Sequence, residues 1–477
     1  MVYMSWLLRI GYGVGQLPEG IKSAAFGFYL LFYYNQIMGL SGTLVGAALF
    51  IALMFDAITD PLVGSWSDST RSIFGRRHPF MYIAALPFAC SFYFLFAPPE
   101  NLGSFGLFMW VLIFSIITRS AMTLYSVPYM ALGAELTRDY DERTLLSALR
   151  SVFQLVGMFL VLIVANELYF GATADYPDGR LNPAAYQNLA LAGAPLMILG
   201  ILIAAGATHS QIPKLRKPNA AALSLSRIMS EVVMAFQIPS FTALVCASIL
   251  FGITQGMVQA LILYTGTYFF ELSGTQIRFL FAFAISGIVI GNMLSRVFFY
   301  IIKEKKTLYI AGLSWYAFFT SSVIILKLFN LLPFSSQEEV AALYIASGFI
   351  SALGLGVAIP LTGSMIADIT DEHELRHGDR QEGIYYAAAS FAGKAVGGIG
   401  PVFAGIIIDL SGITPGTSPE DISPEALARF GWAQGPSVIF LTALSVIAIS
   451  YYSISREKHS RTIDEIKLRA RNQASSD

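Results

Sequence analysis

The chain consists of long apolar segments, most of them about twenty residues or longer, separated by short polar segments. A helix needs about 20 mostly apolar residues to cross a bilayer, so segments of this length predict membrane spans. The pattern therefore predicts an all-α membrane protein with twelve transmembrane helices. They lie at about 10–37, 43–66, 80–98, 105–134, 147–170, 187–208, 239–270, 275–302, 307–330, 338–367, 384–411 and 432–455.

One long polar connector divides the twelve spans into two groups of six. It predicts an N-terminal six-helix bundle over 1–208, a linker over 209–238, a C-terminal six-helix bundle over 239–455 and a charged tail over 456–477. Lys and Arg concentrate in the tail and in the loops that follow the even-numbered spans. Because positively charged loops stay in the cytoplasm, both termini are expected there, with the spans in the plasma membrane, or the inner membrane of a bacterium.

Composition narrows the class of protein. Of all residues, 55% are apolar and 13% are charged, and the mean hydropathy is +0.62. A soluble domain carries about 25% charged residues, so a soluble enzyme, a disordered chain and a nucleic-acid binder are excluded. The sequence also lacks a Walker loop, an HExxH motif and a nucleophile elbow. We therefore expect a secondary transporter rather than an enzyme, with no cofactor.

The two halves repeat a pattern of charges at matching spans. The fourth span closes with Glu135 and is followed by Arg143, and the tenth span closes with Asp368 and is followed by Arg380. This weak duplication, six spans apart, is typical of the parallel repeat of the major facilitator architecture.

The loop after the second span supports the same architecture. It reads Gly64-Ser-Trp-Ser-Asp68 and then Gly75-Arg76-Arg77, which resembles the facilitator loop signature. Glycine permits close helix approach, and an aspartate near a helix end can pair with arginine. Together with the repeated charges, the loop predicts a gate on the cytoplasmic side that is formed by Gly64, Asp68, Arg76, Glu135, Arg143, Asp368 and Arg380.

Two aspartates in the second span give the strongest functional signal, since an ionisable residue at mid-membrane costs about 2.5–3.5 kcal/mol. Asp56 and Asp60 are four residues apart, so both carboxylates lie on one helix face. Their repulsion is removed when one takes a proton or when a cation sits between them. Thr59 and Thr123 could add neutral oxygen ligands. The spacing predicts a site for a coupling cation, Na⁺ or H⁺, and a scaffold ion pair with Lys394 is the alternative.

The other charged residues inside the spans each have a predicted partner or role. Lys394 is predicted to point into the bundle as a switchable partner of the two aspartates. The guanidinium of Arg150 suits hydroxyls or carboxylates of a substrate or gate, and a structural pair with an acid at the end of the fourth span is the alternative. Arg119 is expected to pair with an acid of the first span or to lie at the opposite rim. Glu19 and Lys22 are expected to neutralise each other.

Four segments, covering roughly Gly11 to Asp409, together resemble the glycoside-pentoside-hexuronide:cation symporter family of the major facilitator superfamily. They are Tyr33-Tyr-Asn with Gly39-Leu-Ser, Asp56-Ala-Ile-Thr-Asp60-Pro through Gly75-Arg, Tyr125-Ser-Val-Pro128 to Asp141-Glu-Arg143, and Ala367-Asp-Ile-Thr-Asp371 through Glu382-Gly-Ile-Tyr-Tyr386 to Lys394. The resemblance implies cation-coupled symport of a glycoside or similar solute. It also implies cation ligands at Asp56 and Asp60, a further cation-site hydroxyl at Thr123, a coupling lysine at Lys394 and a sugar-pocket arginine at Arg150.

The sequence departs from the family pattern mainly where the sugar is bound. Thr59 replaces an asparagine, which leaves H⁺ open beside Na⁺. Ser126 and Gly20 stand where the family has sugar-binding aspartates, and Ile359 falls near its tenth-span aromatic residue. We therefore expect the cation site to be retained and the substrate pocket to be changed. The candidate substrate contacts are Glu19, Tyr33, Tyr125, Ser126 and Arg150.

The predicted mechanism is alternating access, in which the two bundles rock about a central site. Cation and substrate should each tighten the binding of the other by the same factor. The expected partners are a small solute, the coupling cation and the lipid bilayer, with no nucleic acid. Three alternatives stay open: a cation-coupled symporter of lysolipids or other amphiphiles, a proton-coupled exporter of apolar compounds, and a non-transporting membrane sensor.

Overall fold

A computed structural model describes residues 4–137, 139–215, 234–334, 336–378, 382–417 and 419–474. All regular secondary structure in these ranges is helical, which confirms the predicted all-α class. Arg380 of the predicted gate and residues 216–233 of the predicted linker lie outside the described residues.

The longer α-helices of the described chain are numbered in chain order. They are α1 Trp6–Val14, α2 Leu17–Ala24, α3 Gly42–Ser69, α4 His78–Leu95, α5 Ser104–Leu136, α6 Tyr140–Phe159, α7 Pro183–His209, α8 Pro239–Tyr264, α9 Gly274–Ile302, α10 Lys305–Leu328, α11 Gln337–His377, α12 Glu382–Gly397, α13 Ile399–Ser411, α14 Pro424–Ser450 and α15 Arg456–Ala474. Shorter α-helical turns are Leu30–Phe32 and Asn166–Tyr169; π-helical turns are Ala25–Tyr29, Tyr33–Ile37, Leu160–Ala165 and Thr265–Phe269; 3₁₀ turns are Gly179–Leu181, Ile212–Lys214 and Pro419–Asp421.

Eleven helical segments among the described residues are long and apolar enough to cross a membrane, and they match the second to twelfth predicted spans. The first predicted span, about 10–37, is helical but interrupted. Its helix α1 ends at Val14 and α2 begins at Leu17. Pro18 has no N–H to bond the carbonyl of Val14, so one helical hydrogen bond is missing at the point where α1 gives way to α2. With this interrupted segment as the twelfth, the helices agree with the predicted count.

The helices belong to two compact units. The first contains Met1–Ser224, Gln259–Arg278 and Gly398–Ser423, and the second contains Leu225–Val258, Phe279–Gly397 and Pro424–Asp477. These units do not follow the predicted bundle boundaries along the chain, because parts of the later spans pack with the first unit. The division into bundles over 1–208 and 239–455 stays a prediction.

In the first unit, α3 packs closely against α13, which comes much later in the chain. A side chain at Gly405 would overlap the carbonyl oxygen of Gly42, so the two backbones touch because both positions lack a Cβ. The carboxylate of Asp409 accepts bonds from the backbone N–H groups of Gly42 at 2.8 Å and Thr43 at 2.9 Å. An acid on α13 therefore caps the N-terminus of α3 and holds its first turn.

In the second unit, the predicted charged tail forms α15, which packs on α11 through a hydrogen bond and an ion pair. His459 Nε2 lies 2.9 Å from Asp371 Oδ2, and Lys458 Nζ lies 2.9 Å from Glu372 Oε1. The two acids are buried, whereas the charged composition of the tail by itself predicts only a solvated segment. The helix is thus stabilised by contacts with α11 that its own sequence does not reveal.

Candidate functional site

The structure brings the two predicted aspartates together with one threonine in the middle of α3 and α5. Asp56 is buried and Asp60 is half-buried, one turn apart on α3. Thr123 Oγ1 on α5 lies 2.5 Å from Asp56 Oδ1 and 2.9 Å from Asp60 Oδ1. The four-residue spacing therefore does place both carboxylates on one face, and that face meets the hydroxyl of Thr123.

The guanidinium of Arg119, which is expected near an acid of the first span or at the opposite rim, also lies beside Asp56. Arg119 Nη1 is 3.4 Å from Asp56 Oδ2, so its ion-pair partner is an acid of the second span, and Glu19 of the first span lies within electrostatic reach. Its guanidinium carbon lies 5.4 Å from the ring centre of Phe26, within cation–π range. Arg119 precedes Thr123 by four residues, and this spacing was the available signal that both face the same neighbour. We call Asp56, Asp60, Arg119 and Thr123 the mid-span cluster.

Thr59 and Lys394 are the other two residues predicted for the cation site. The hydroxyl of Thr59 donates to the backbone carbonyl of Asp56 at 3.2 Å, as threonines within helices often do. Lys394 is half-buried on α12 and belongs to the second unit, whereas the mid-span cluster belongs to the first. The cation-ligand role of Thr59 and the coupling role of Lys394 stay predictions.

Glu19 and Lys22 do neutralise each other, as expected. Lys22 Nζ lies 3.0 Å from Glu19, and Ser23 Oγ donates to the same carboxylate at 2.8 Å. Glu19 is thus a bonded acid on α2, and any substrate that contacts it competes with these two partners.

The remaining predicted substrate residues divide into two groups. The tyrosine hydroxyls are engaged in joining helices, because Tyr33 donates to the carbonyl of Phe96 at 3.0 Å and Tyr125 donates to that of Gly15 at 2.7 Å. Arg150 and Ser126 are both half-buried. The roles of these four residues in substrate binding stay predictions.

Arg150 lies among polar and aromatic groups. Its Nε is 3.5 Å from Gln16 Oε1, and its guanidinium carbon is 5.6 Å from the ring centre of Tyr129. No carboxylate pairs with Arg150 among the described residues, so the alternative of an ion pair with the acid that ends the fourth span is wrong. That acid, Glu135, is bonded to other arginines.

Those arginines form a second charged cluster at the ends of α3 and α5, which we call the end cluster: Asp68, Arg76, Arg77 and Glu135. Glu135 Oε1 lies 2.6 Å from Arg76 Nη2 and 3.0 Å from Arg77 Nη2, and Asp68 Oδ1 lies 2.6 Å from Arg77 Nη2. The predicted members are brought together as expected. Arg77, which the prediction left out, contacts both acids.

Three other residues of the predicted gate have different surroundings. A side chain at Gly64 would meet only Val127, at an ordinary 3.6 Å, so close helix approach is not the reason for this glycine. Arg143 donates to the backbone carbonyls of Thr137 and Ala134 and so caps the end of α5. Asp368 accepts bonds from Lys305 Nζ at 2.7 Å on both carboxylate oxygens.

Asp368 on α11 corresponds in the repeat to Glu135 on α5, and both acids bind a basic residue that lies before or at the start of the preceding helix. This correspondence matches the repeat predicted from sequence. Whether these residues gate a pathway stays a prediction.

Residues 11–456 match the family model described as MFS/sugar transport protein. An uncharacterized symporter, sll1374 of Synechocystis sp., is 26% identical, with 97% of each chain covered. The inner membrane symporter YicJ of Escherichia coli is 23% identical over 96% of this chain and 94% of its own. A crystal structure of a D-xylose-proton symporter superposes with a TM-score of 0.63, 14% identity, and coverage of 92% of this chain and 97% of that chain, which shows the shared fold.

Proposed function

The chain belongs to the MFS/sugar transport protein family, and from that membership we propose that it takes up a glycoside or similar small solute together with a cation, Na⁺ or H⁺. It is a multi-pass membrane protein whose full-length relatives are named symporters. In this proposal the spans lie in the plasma membrane, or the inner membrane of a bacterium, with both termini in the cytoplasm. Transport proceeds by alternating access between the halves 1–208 and 239–455.

The observation that carries the proposal is the convergence of Asp56 and Asp60 on the hydroxyl of Thr123. Two carboxylates that share one hydroxyl inside a membrane span repel each other, and uptake of a proton or a metal cation relieves that repulsion beyond what Arg119 provides. A group that binds a cation in one state and releases it in another can drive a solute against its gradient. Lys394, on α12, is the proposed partner that exchanges with the cation.

Arg150 is the proposed anchor for the solute. It is half-buried, and its neighbours Gln16, Tyr12 and Tyr129 are uncharged side chains, so part of its guanidinium fork can serve an external acceptor. Glycosides offer several hydroxyl acceptors, and hexuronides add a carboxylate. Glu19, Tyr33, Tyr125 and Ser126 are the further proposed contacts.

The proposal is tested by uptake into proteoliposomes. A panel of radiolabelled glycosides, pentosides and hexuronides is offered under an inward Na⁺ gradient, an inward H⁺ gradient, or neither. At least one solute should accumulate only under a cation gradient, and Asp56→Asn should abolish that accumulation while leaving detergent-purified protein folded. Accumulation that is unchanged in Asp56→Asn, or that needs no gradient, contradicts the proposal.

A lysolipid is the second candidate solute, and several relatives favour it, two of them over more than 90% of this chain. The sodium-dependent lysophosphatidylcholine symporter 1 of Gallus gallus is 33% identical over 34% of this chain and 30% of its own. Ser126, in place of an acid of the family, also makes the proposed pocket less polar. The same assay with labelled lysophosphatidylcholine separates the two: cation-dependent lysolipid uptake with no sugar uptake replaces the glycoside proposal.

A further inference from the structure

Two segments of the predicted second half belong to the first compact unit, and their contacts there are part of neither charged cluster. They are Gln259–Arg278, around the end of α8, and Gly398–Ser423, which contains α13. They meet the first half at or just before the beginning of α3, which is the end away from the end cluster. Alternating access requires the two halves to separate at each mouth of the pathway in turn, so contacts between them at one end bear on transport.

The exposed contact at this end joins α13 to the N-terminus of α3. Besides the N–H groups of Gly42 and Thr43, the carboxylate of Asp409 accepts a bond from the hydroxyl of Ser41 at 2.6 Å. Both Asp409 and Ser41 are exposed, so water competes for the carboxylate and the contact breaks and re-forms readily. The backbones of the same two helices touch at Gly42 and Gly405, which leaves no room for a solute between them there.

A buried network joins the end of α8 to the segment that precedes α3. The hydroxyl of Tyr264 donates to Asn35 Oδ1 at 3.0 Å, and that of Tyr268 donates to Gln36 Oε1 at 2.9 Å. Gln36 Nε2 also donates to Asn35 Oδ1 at 2.7 Å, so the two pairs are linked. All four side chains are at most 2% exposed, and a buried polar group that loses its partner destabilises the state in which it lies. The network therefore stabilises the contact between the two halves.

The network lies on two π-helical turns at matching places in the repeat. Tyr33–Ile37 lies at the end of the first predicted span and Thr265–Phe269 at the end of the seventh, six spans further on. Asn35 and Gln36 lie on the first turn and Tyr268 on the second. π-helical turns are rare and occur frequently at functional sites. Two of them bonded to each other across the halves favour a contact that opens over a contact that is fixed.

We propose that these contacts form a gate, closed in this structure, at the mouth of the solute pathway opposite the end cluster, with Asp409 as its latch. The inference rests on the proposed function and names the residues that its alternating access must separate. In the proposed orientation this mouth faces away from the cytoplasm. The gate also gives a role to the segment Tyr33-Tyr-Asn with Gly39-Leu-Ser, whose asparagine and serine are Asn35 and Ser41. The solute passes when the Asp409 contact and the buried network are both open.

A reversible crosslink tests whether the gate must open. Ser41→Cys with Asp409→Cys places two thiols where a hydroxyl and a carboxylate now meet, in full-length protein that also carries Cys90→Ala and Cys246→Ala. Uptake into proteoliposomes under a cation gradient is measured before oxidation with copper phenanthroline, after it, and after reduction. Oxidation should lower uptake by about 20-fold or more, because a closed gate blocks every cycle, and reduction should restore it. Uptake that continues in crosslinked protein, or a pair that does not crosslink, overturns the proposal.

A matched control places the crosslink within one half. The hydroxyls of Ser91 on α4 and Thr118 on α5 lie 3.0 Å apart, and both helices belong to the predicted first half. Ser91→Cys with Thr118→Cys, treated in the same way, should leave uptake unchanged, since these two helices do not separate during alternating access. An equal loss in both pairs shows that any crosslink stops uptake by making the protein rigid, and it overturns the gate.

A second measurement needs no solute. Gln36→Cys, in protein without its own cysteines, provides a buried reporter thiol, and a membrane-impermeant maleimide is added to one side of the vesicles or the other. Adding Asp409→Ala should speed labelling by about fivefold or more from one side only, because loss of the latch favours the open gate. Asp409→Asn keeps an oxygen acceptor for the N-terminus of α3 and should stay nearer to the unlatched reporter's parent.

The outcomes separate the gate from the proposed function. Labelling that Asp409→Ala leaves unchanged, or raises equally from both sides, overturns the gate, since general loosening of the fold has no sidedness. A gate that responds as expected in protein with no cation-coupled uptake refutes the proposed function alone. Coupled uptake that continues through the crosslinked gate refutes the gate alone.

Discussion

The mid-span cluster and the end cluster connect the same two helices, α3 and α5, yet their carboxylates are held in different ways. In the end cluster, Glu135 accepts bonds from two guanidiniums at 2.6 and 3.0 Å. In the mid-span cluster, one guanidinium contacts Asp56 at 3.4 Å, and a neutral hydroxyl is shared by both acids. Charge-assisted bonds from several fixed donors hold helices together, whereas a shared hydroxyl can change its donor direction when a proton moves. This difference favours a structural role for the end cluster and an ion-exchanging role for the mid-span cluster.

Asp60→Asn is expected to have the largest effect, since it removes the proposed ion carrier. Amide and carboxyl are similar in size, so the fold should persist while cation-driven accumulation falls by about 100-fold or more, which is the loss of roughly 3 kcal/mol of coupling. Uptake in proteoliposomes under an imposed gradient measures this. Counterflow exchange without a gradient is the control for an intact solute site. Normal accumulation by Asp60→Asn contradicts an ion-exchanging role for the middle of α3.

Glu135→Gln should affect stability more than ion response. It removes a carboxylate that is only 10% exposed from the guanidiniums of Arg76 and Arg77, which still contact the more exposed Asp68. Breaking a fully buried ion pair costs about 3–5 kcal/mol, which sets the upper limit of the loss. Thermal melting in detergent should show a clear fall in melting temperature, and the direction of the response to cations should be as in wild type. If Glu135→Gln melts at the wild-type temperature but its uptake no longer depends on a cation gradient, the end cluster does not have a mainly structural role.

Thr123→Val tests whether the shared hydroxyl matters. Valine keeps the shape of threonine but cannot donate or accept, and a hydrogen bond to a charged group contributes about 1.5–3 kcal/mol. The cation concentration that gives half-maximal uptake should rise by about 10- to 100-fold. Thr123→Ser keeps the hydroxyl and should stay close to wild type. Equal losses in Val and Ser variants point to packing as the role of this residue.

Asp68→Asn should have the smallest effect, although Asp68 lies 2.6 Å from Arg77. Its side chain is 44% exposed, and ion pairs in contact with water contribute only about 0.2–1 kcal/mol. Thermal melting at low and high salt should show a small loss that vanishes in high salt. A loss as large as that of Glu135→Gln means that Asp68 is a principal member of the end cluster.

Much of this fold follows from local patterns. A run of about 20 apolar residues has few alternatives to a spanning helix, so eleven of twelve spans were placed without knowledge of any contact. The spacing of Asp56 and Asp60 put both on one face, because helical geometry is the same in every protein. The interruption of the first span at Pro18 was missed, since an apolar segment with one proline also occurs in continuous, kinked helices.

Contacts between distant segments were harder to foresee. The pairing of Arg119 with Asp56 depends on how α5 is rotated against α3, and hydropathy does not report that rotation where the whole helix is apolar. The predicted gate includes Arg76 but not Arg77, because the sequence does not show which of two adjacent arginines will face the acids once the loop is folded. The capping of α3 by Asp409 joins residues more than 360 positions apart.

The sequence by itself determined the all-α class, the spans, the repeat of charges six spans apart and the position of the two aspartates on one helix face. Each of these depends on distances of a few turns along one helix, which composition and periodicity report. Only the tertiary structure decided which guanidinium meets Asp56, which hydroxyl joins it to Asp60, and how the charged tail packs on α11. These contacts depend on the rotation and approach of separate helices, which are set by side-chain packing over the whole molecule.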